Sequence, residues 1–458
     1  MRWHDHCIAT PCCDSVQTAN WSIERQEEHV AAHGTFTDWL RLHAITADSL
    51  DPEAPLDDLE PLREMIGTAR VVAIGENAHH VREFYLLRHR LLRFLVERCG
   101  FTAFAFEAPF TEAHAIDAWV QGGPGTVHEV AAVGAGAGNL GRCAEMYDLL
   151  TWMREHNRDA ATPLRFAGSI ISSRQPALAA VADYLRWADR DALPLLEQIR
   201  TLAKAFHHTS IFRVLDQYTA SEHAVQDAMT ATISRLLGRM ETMTAYQCSQ
   251  GREREHATAL QHLRGVWYGD HSLRDFAGRG IPTGSAAADA FLAESVLRLL
   301  ADGPSDGRIL LAVHNCHIRK TVVAHEGAFG LFPAGYHLAQ ALGEDYIAIA
   351  ATSGGGRTAE VRPESGHPLG FQVHDHAQPP LPGTSVESTF VTESPLTIAD
   401  LRTARRAVTD SHTFQQMRME HYLTDVDVFD AYDAIAYIPY TTCTDYVDAQ
   451  PQSTTQQP

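Results

Sequence analysis

The chain has 458 residues, 45% of them hydrophobic and 21% charged, which is the composition of a globular protein with a large core. A formal net charge of −20 excludes nucleic acid and anionic membrane surfaces as main partners. No apolar run is long enough to span a bilayer, and the first fifteen residues lack the basic, apolar and small-residue order of a secretory signal, so a cytoplasmic location is the expectation.

Residues 1–35 show no period and are expected to be a mobile tail; His4, His6, Cys7, Cys12 and Cys13 match no zinc-module spacing. Phe36 to His43 reads as a short helix, Asp51 to Leu59 as an acidic loop, and Leu62 to Ile66 as another short helix. Val71 to Ile74 is an apolar strand that meets a glycine turn at Gly75. An amphipathic helix follows, with Leu87, Leu91, Leu92 and Leu95 at helical spacing, and Phe101 to Phe106 forms the next strand. Strand, helix and strand within this length make a βαβ unit. Glu112 to Val120 reads as a helix, Val130 to Gly141 as a mobile glycine-alanine loop, Ala144 to Asn157 as a helix, and Leu164 to Ile171 as a strand. Residues 176–268 are almost wholly helical, as a lid on the core or as plain packing against the sheet. Beyond them come a helix from Ala286 to Leu300, a fully apolar strand from Ile309 to Val313, a helix from Tyr336 to Leu342 and a strand from Tyr346 to Ala351. Gly366 to Gly383 reads as loop, Leu396 to Leu401 and Gln415 to Tyr422 as one helix each, and Ala434 to Ile438 as a late strand. The expected architecture is α/β: a central, mostly parallel sheet flanked by helices, with a helical insertion over the strand-end cleft. Residues 36–444 form the expected catalytic domain, 176–268 the insertion, and 445–458 a disordered tail.

Chemistry gathers at the strand ends, where open α/β sheets bind ligands. Glu76, His79 and His80 follow the first strand, Glu107 ends the second, and His314 and His317 leave the strand at Ile309. With the helix opening at His79, Glu83 lies one turn on, and the positive end of the helix keeps that imidazole neutral, as a general base requires. A buried Glu107 needs a cationic or hydrogen-bonding partner. The pair of histidines after Ile309 reads as metal ligands, an oxyanion holder or a water-orienting pair. No GxSxG elbow, Walker loop or placed GxGxxG occurs, and the eight cysteines include no CxxC pair.

At these residues the chain resembles the erythromycin esterase family, which also includes succinoglycan biosynthesis-like proteins. The resemblance rests on Gly75-Glu76-Asn77-Ala78-His79-His80, Arg82-Glu83-Phe84, Leu87 to Leu95, Gly100-Phe101 up to Glu107, and His314-Asn315-Cys316-His317, and runs from about Thr68 to Thr444. It implies hydrolysis of a macrolactone ester by direct water attack, with His79 as general base and Glu76, Glu107 and His314 as its catalytic companions. Arg88, His317, His80 and Glu83 then position substrate or transition state. It implies a small-molecule substrate, and no cofactor and no metal ligand are assigned. His80 stands where the family has a glycine, and Ala288-Asp289 where it has Arg-Asp.

Three other readings stay open. One is a biosynthetic enzyme of the same fold that forms or rearranges a ring. A second is a metal-dependent hydrolase drawing ligands from His79, His80, Glu107, His314 and His317. The third is a ligand-binding protein.

Overall fold

The computed structural model describes residues 34–134, 139–206, 211–278, 286–325, 328–364, 366–367 and 369–448. The expected N-terminal tail therefore lies outside the described residues, apart from its last two. Thirteen strands are present among them: β1 Ile45–Ala47, β2 Val71–Ile74, β3 Ala103–Pro109, β4 Arg165–Ile170, β5 Ile309–Ala312, β6 Val323–His325, β7 Ala328–Leu331, β8 Tyr346–Pro363, β9 Phe371–Ala377, β10 Leu396–Asp400, β11 Gln416–Met419, β12 Tyr422–Asp425 and β13 Ala434–Thr441. One sheet carries the order β1-β10-β13-β8-β2-β5-β3-β4, with β9 paired to β8. From β13 across to β4 every pairing is parallel, and β10 and β1 close one edge antiparallel.

Every residue of β2, β3 and β5 is buried, which explains their unbroken apolar runs. The two-residue period splits them between two cores. Val72, Ile74, Phe104 and Phe106 pack with Leu87, Leu91 and Leu95 of helix Arg82–Cys99. Val71, Ala73, Leu311 and Val313 pack on the other face with Leu292 and Val296 of helix Ala287–Asp302 and Leu338 of helix Ala334–Leu342. Helix Arg82–Cys99 stops at Gly100, whose φ of +73° is the left-handed conformation that a helix end favours.

Helices Arg174–Ala188, Leu193–Ala203, Ile211–Ala220, His223–Ser249 and Glu253–Phe276 enclose a third core that includes Leu178, Leu185, Ile199, Leu236 and Leu263. This block meets the α/β body beside β3: His262 shares a hydrogen bond of 2.8 Å with Thr111, and its ring packs on Phe110. A cleft of about 650 Å³ runs along β4 beneath helices Glu253–Phe276 and Ala287–Asp302, lined by Ala103, His114, Arg165, Arg254 and Arg298. None of the strand-end residues singled out by sequence lines it. No helix among the described residues is long and apolar enough to cross a membrane.

Several elements differ from expectation. Leu396–Asp400 is strand, with the helix only after it at Leu401–Ala407, and Gln416 to Asp425 is a hairpin rather than a helix. The expected loop after Gly366 contains β9, and β8 runs on past its glycines because β9 pairs with its outer half. Of the loop expected from Val130 to Gly141, residues 130–134 belong to helix Val127–Gly134, and 135–138 lie outside the described residues. Ordered chain continues through helix Asp445–Asp448, with Tyr446 and Val447 buried, so a disordered tail does not begin at 445.

Candidate active site

Strands β2, β5 and β3 are neighbours, and Ile74 and Phe106 both pair with Ala312. β2 and β5 thus end level with Phe106, about 4.8 Å apart across each pairing, while β3 runs on to Pro109, so that Glu107 lies within the strand rather than at its end. Sequence separation disappears here: Glu107 and His314 are 207 residues apart, yet the His314 backbone N–H donates to Glu107 Oε2 at 2.8 Å. Gly75 permits the approach, because a Cβ there would fall 1.9 Å from Asn315 Oδ1. Asn315 in turn clips β8, donating to the Ala351 carbonyl and accepting from its N–H.

Glu76 is 1% exposed and holds two partners, His79 Nδ1 at 2.8 Å and Arg88 Nη2 at 2.7 Å. Burial alone would raise its pKa; the Arg88 charge and the His79 hydrogen bond outweigh that and hold it down at about 2. An ionised Glu76 fixes the His79 ring with Nδ1–H toward the carboxylate, leaving Nε2 as the free nitrogen. Nε2 lies 3.8 Å from Glu107 Oε1. Helix Arg82–Cys99 starts three residues after His79, so His79 occupies the turn before the helix, and its orientation comes from Glu76 rather than from a first-turn position.

A second histidine–carboxylate pair faces the first. His317 Nδ1 is 2.8 Å from Asp289 Oδ1, and His317 Nε2 is 3.8 Å from the same Glu107 oxygen. Asp289, on helix Ala287–Asp302, is anchored by the Ala334 N–H as well. His314 stands edge-on to His79, with ring centroids 5.1 Å apart, and its Nδ1 is 3.1 Å from Cys316 Sγ. Desolvation works against charge on both histidines, but the Cys316 thiolate and nearby carboxylates prevail. His314 is raised to about 9, and His317 is raised well above its ordinary value with the help of Asp289. Burial would push the Cys316 thiol up; the two imidazoles reverse that and bring it to about 6.

The structure thus brings together Glu76, His79, Glu107, His314 and His317, with Arg88 beneath them on Glu76. It does not bring Glu83 or His80 to them. Glu83 accepts hydrogen bonds from the backbone and hydroxyl of Thr442. His80 is 1% exposed and stacks on Tyr446 at 4.8 Å. Its φ of +57° explains why a glycine suits this place, and histidine is among the residues that tolerate it.

Asp289 and Glu420 have no assigned role in the sequence reading. Glu420 occupies the two-residue turn between β11 and β12 with a φ of +49°, and its N–H donates to the Asn77 carbonyl at 2.8 Å. Burial raises its pKa, while His314 and His79 pull it the other way, so its carboxyl lies within electrostatic reach of both rings. Glu76, His79 and Glu107 offer ligand atoms within 4.8 Å of one another, close enough to hold a metal. Glu76 already spends one oxygen on His79 and the other on Arg88, so that set is better matched to orienting a base.

The erythromycin esterase family model matches residues 96–441, which takes in Glu107, Asp289, His314 and His317 and leaves Glu76, His79 and Arg88 before it. The chain is 33% identical over 349 residues to the type II erythromycin esterase of Escherichia coli, covering 74% of this chain and 82% of that protein. With the type I enzyme of Escherichia coli it shares 27% identity over 332 residues, 69% of this chain and 78% of that one. A mutant of the erythromycin esterase EreC, solved in its open conformation, has the same fold, with a TM-score of 0.77 at 23% identity over 89% of this chain and all of that one. A succinoglycan biosynthesis protein shares it at a TM-score of 0.67 and 19% identity, over 89% of this chain and 97% of that one. With its mostly parallel sheet, its matched residues and these relatives, the chain belongs to the erythromycin esterase family.

Proposed function

We propose that this protein hydrolyses the ester of a macrolactone, with His79 as general base. The observation that carries the reading is the chain Arg88–Glu76–His79, whose free imidazole nitrogen points at Glu107. Two imidazole nitrogens at 3.8 Å from one carboxylate oxygen are too far for direct hydrogen bonds, and a water set to one side of these lines can reach the oxygen and a ring nitrogen together. His79 Nε2 takes a proton from that water while Glu107 orients it. The resulting hydroxide adds to the ester carbonyl. The charged His317, raised by Cys316 and Asp289, donates from Nε2 to the developing oxyanion. Collapse breaks the carbon–oxygen bond of the ring, and the alkoxide leaves with the proton held by His79. Glu420 lies within electrostatic reach of His79 and His314. The helical block serves as the cap of this site; its junction with the body at Thr111 and Phe110, just beyond β3, supports that role. The relatives' names supply the substrate class, macrolides of the erythromycin type.

Purified protein incubated with a macrolide panel should give ring-opened product one water heavier by mass spectrometry. His79→Ala should lower kcat by ~10²–10⁴-fold, the usual range for a general base. Failure of the unaltered protein to open any macrolide sinks the substrate, and an unchanged kcat in His79→Ala sinks the mechanism.

A further inference from the structure

We infer that Glu360, His376 and His421 form a second site, which takes a divalent transition metal of the zinc type and clamps the Glu420–His421 turn onto the β8–β9 ribbon. The three residues come from three places. Glu360 is on the outer half of β8, and its cross-strand partner on β9 is His374, so His376, two residues on, projects from the same face. His421 is in the tight turn between β11 and β12. Glu360 Oε2 is 2.9 Å from His376 Nε2 and 3.6 Å from His421 Nδ1, and all three atoms lie within 4.8 Å of one another. A tetrahedral zinc with bonds of about 2.0–2.1 Å separates its ligand atoms by about 3.3 Å, so small side-chain rotations complete the triangle.

The second observation is independent of spacing. Glu360 Oε2, His376 Nε2 and His421 Nδ1 are each sealed from solvent, and beyond their ion-pair contacts with one another and with Arg362 none of the three has a hydrogen bond of acceptable geometry. Buried polar atoms are paired in the great majority of cases, and three that converge on one point are what a cation resolves. The two rings stack, with centroids 4.7 Å apart and planes 20° from parallel. Two imidazoles and one carboxylate suit Zn²⁺, Co²⁺ or Ni²⁺ over Mg²⁺ or Ca²⁺ and leave a fourth position open. The competitor is Arg362, whose Nη2 is 2.6 Å from the same Glu360 oxygen; half of its side chain is in solvent, so it can swing away.

The turn is what the metal would hold. Glu420 sits there at a φ of +49°, a conformation that L-residues with bulky side chains rarely adopt, and its N–H holds the Asn77 carbonyl two residues before His79. A metal on His421 fixes the turn from its outer side. The bound ion is therefore a positioning element for the turn that carries Glu420, separate from Glu76 and Glu107.

Metal-free full-length protein is titrated with Zn²⁺, and with Co²⁺ for its visible spectrum. The expected result is one ion per chain at micromolar concentration or below, equally in the unaltered protein and in His79→Ala. Glu360→Gln and His421→Ala should each weaken binding by at least ~10-fold, with circular dichroism unchanged. Arg362→Gln should tighten it, a readout that survives if the other variants misfold. The melting temperature should rise with Zn²⁺ in the unaltered protein and stay put in His421→Ala. No zinc binding up to millimolar, binding that Glu360→Gln and His421→Ala both leave intact, or binding abolished by His79→Ala overturns the site.

Discussion

At the strand ends Glu76 is 1% exposed, and in the helical block Asp270 is 1% exposed too, yet the two carboxyls behave in opposite ways. Glu76 is held at about 2 by Arg88 and His79. Asp270 is raised by burial; its close partner is the neutral Thr230 hydroxyl at 2.5 Å, and Arg174, His271 and Arg274 do not offset the desolvation. Equal burial with different partners separates a site that keeps charge from a core that suppresses it. The strand ends carry fixed charges aimed at one another across Glu107. The helical block carries apolar side chains such as Leu178, Leu236 and Leu263.

The strongest way to break this contrast is to remove the cation under Glu76. Arg88→Met keeps most of the volume and leaves a buried carboxylate with one partner. Destabilisation of ~3–5 kcal/mol is expected in urea unfolding, the range for breaking a buried pair. The pH dependence has a definite sign. Glu76 is depressed when folded, so its stabilisation is present above its ordinary value of 4.5 and is lost as pH falls toward about 2. That acid limb should shrink in Arg88→Met. A variant as stable as the parent would mean that Glu76 is not held by this pair.

Leu236→Ala sharpens the other half of the comparison. Leu236 is 0% exposed within helix His223–Ser249, and its truncation should cost ~2–5 kcal/mol of stability. The turnover of folded protein on a macrolide should be preserved. A fall in that turnover of more than about tenfold, some 1.4 kcal/mol at the barrier, would show that the block shapes the catalytic cluster and would dissolve the contrast.

The same contrast explains what could be read in advance. The apolar runs of β2, β3 and β5 are buried on both faces, so strand ends and their polar residues stood out along the chain. That β5 inserts between β2 and β3 is a long-range fact with no local signal. Asp289 is named by its sequence neighbours alone and gets no role from them, because its partner His317 is 28 residues away, on another element. The hairpin of β11 and β12 reads as a helix in the sequence because Gln415, Gln416, Met417, Arg418, Met419 and Glu420 are all good helix formers. Its turn is Glu420–His421, with none of the glycine or asparagine that marks such turns. The positive φ of Glu420 was therefore invisible, and with it the placement of both Glu420 and His421.

The smallest effect tests whether charge at the strand ends extends beyond the carboxylates. Cys143, 1% exposed among apolar neighbours, has its thiol pushed well above the ordinary range by burial. Cys316 suffers the same desolvation, but His317 and His314 bring it to about 6. A depressed thiol contributes stability that is present above its ordinary value of 9.0 and is lost as pH falls through about 6. The raised His314 contributes stability that is present below its ordinary 6.5 and is lost as pH rises through about 9. The ion pair therefore exists between about 6 and about 9. Thiolate absorbance of the parent minus that of Cys316→Ser should titrate near 6, and His314→Asn should move that titration upward. A difference titration centred near 9 in the parent would make Cys316 an ordinary buried thiol and leave Asp289 as the chief source of the charge on His317.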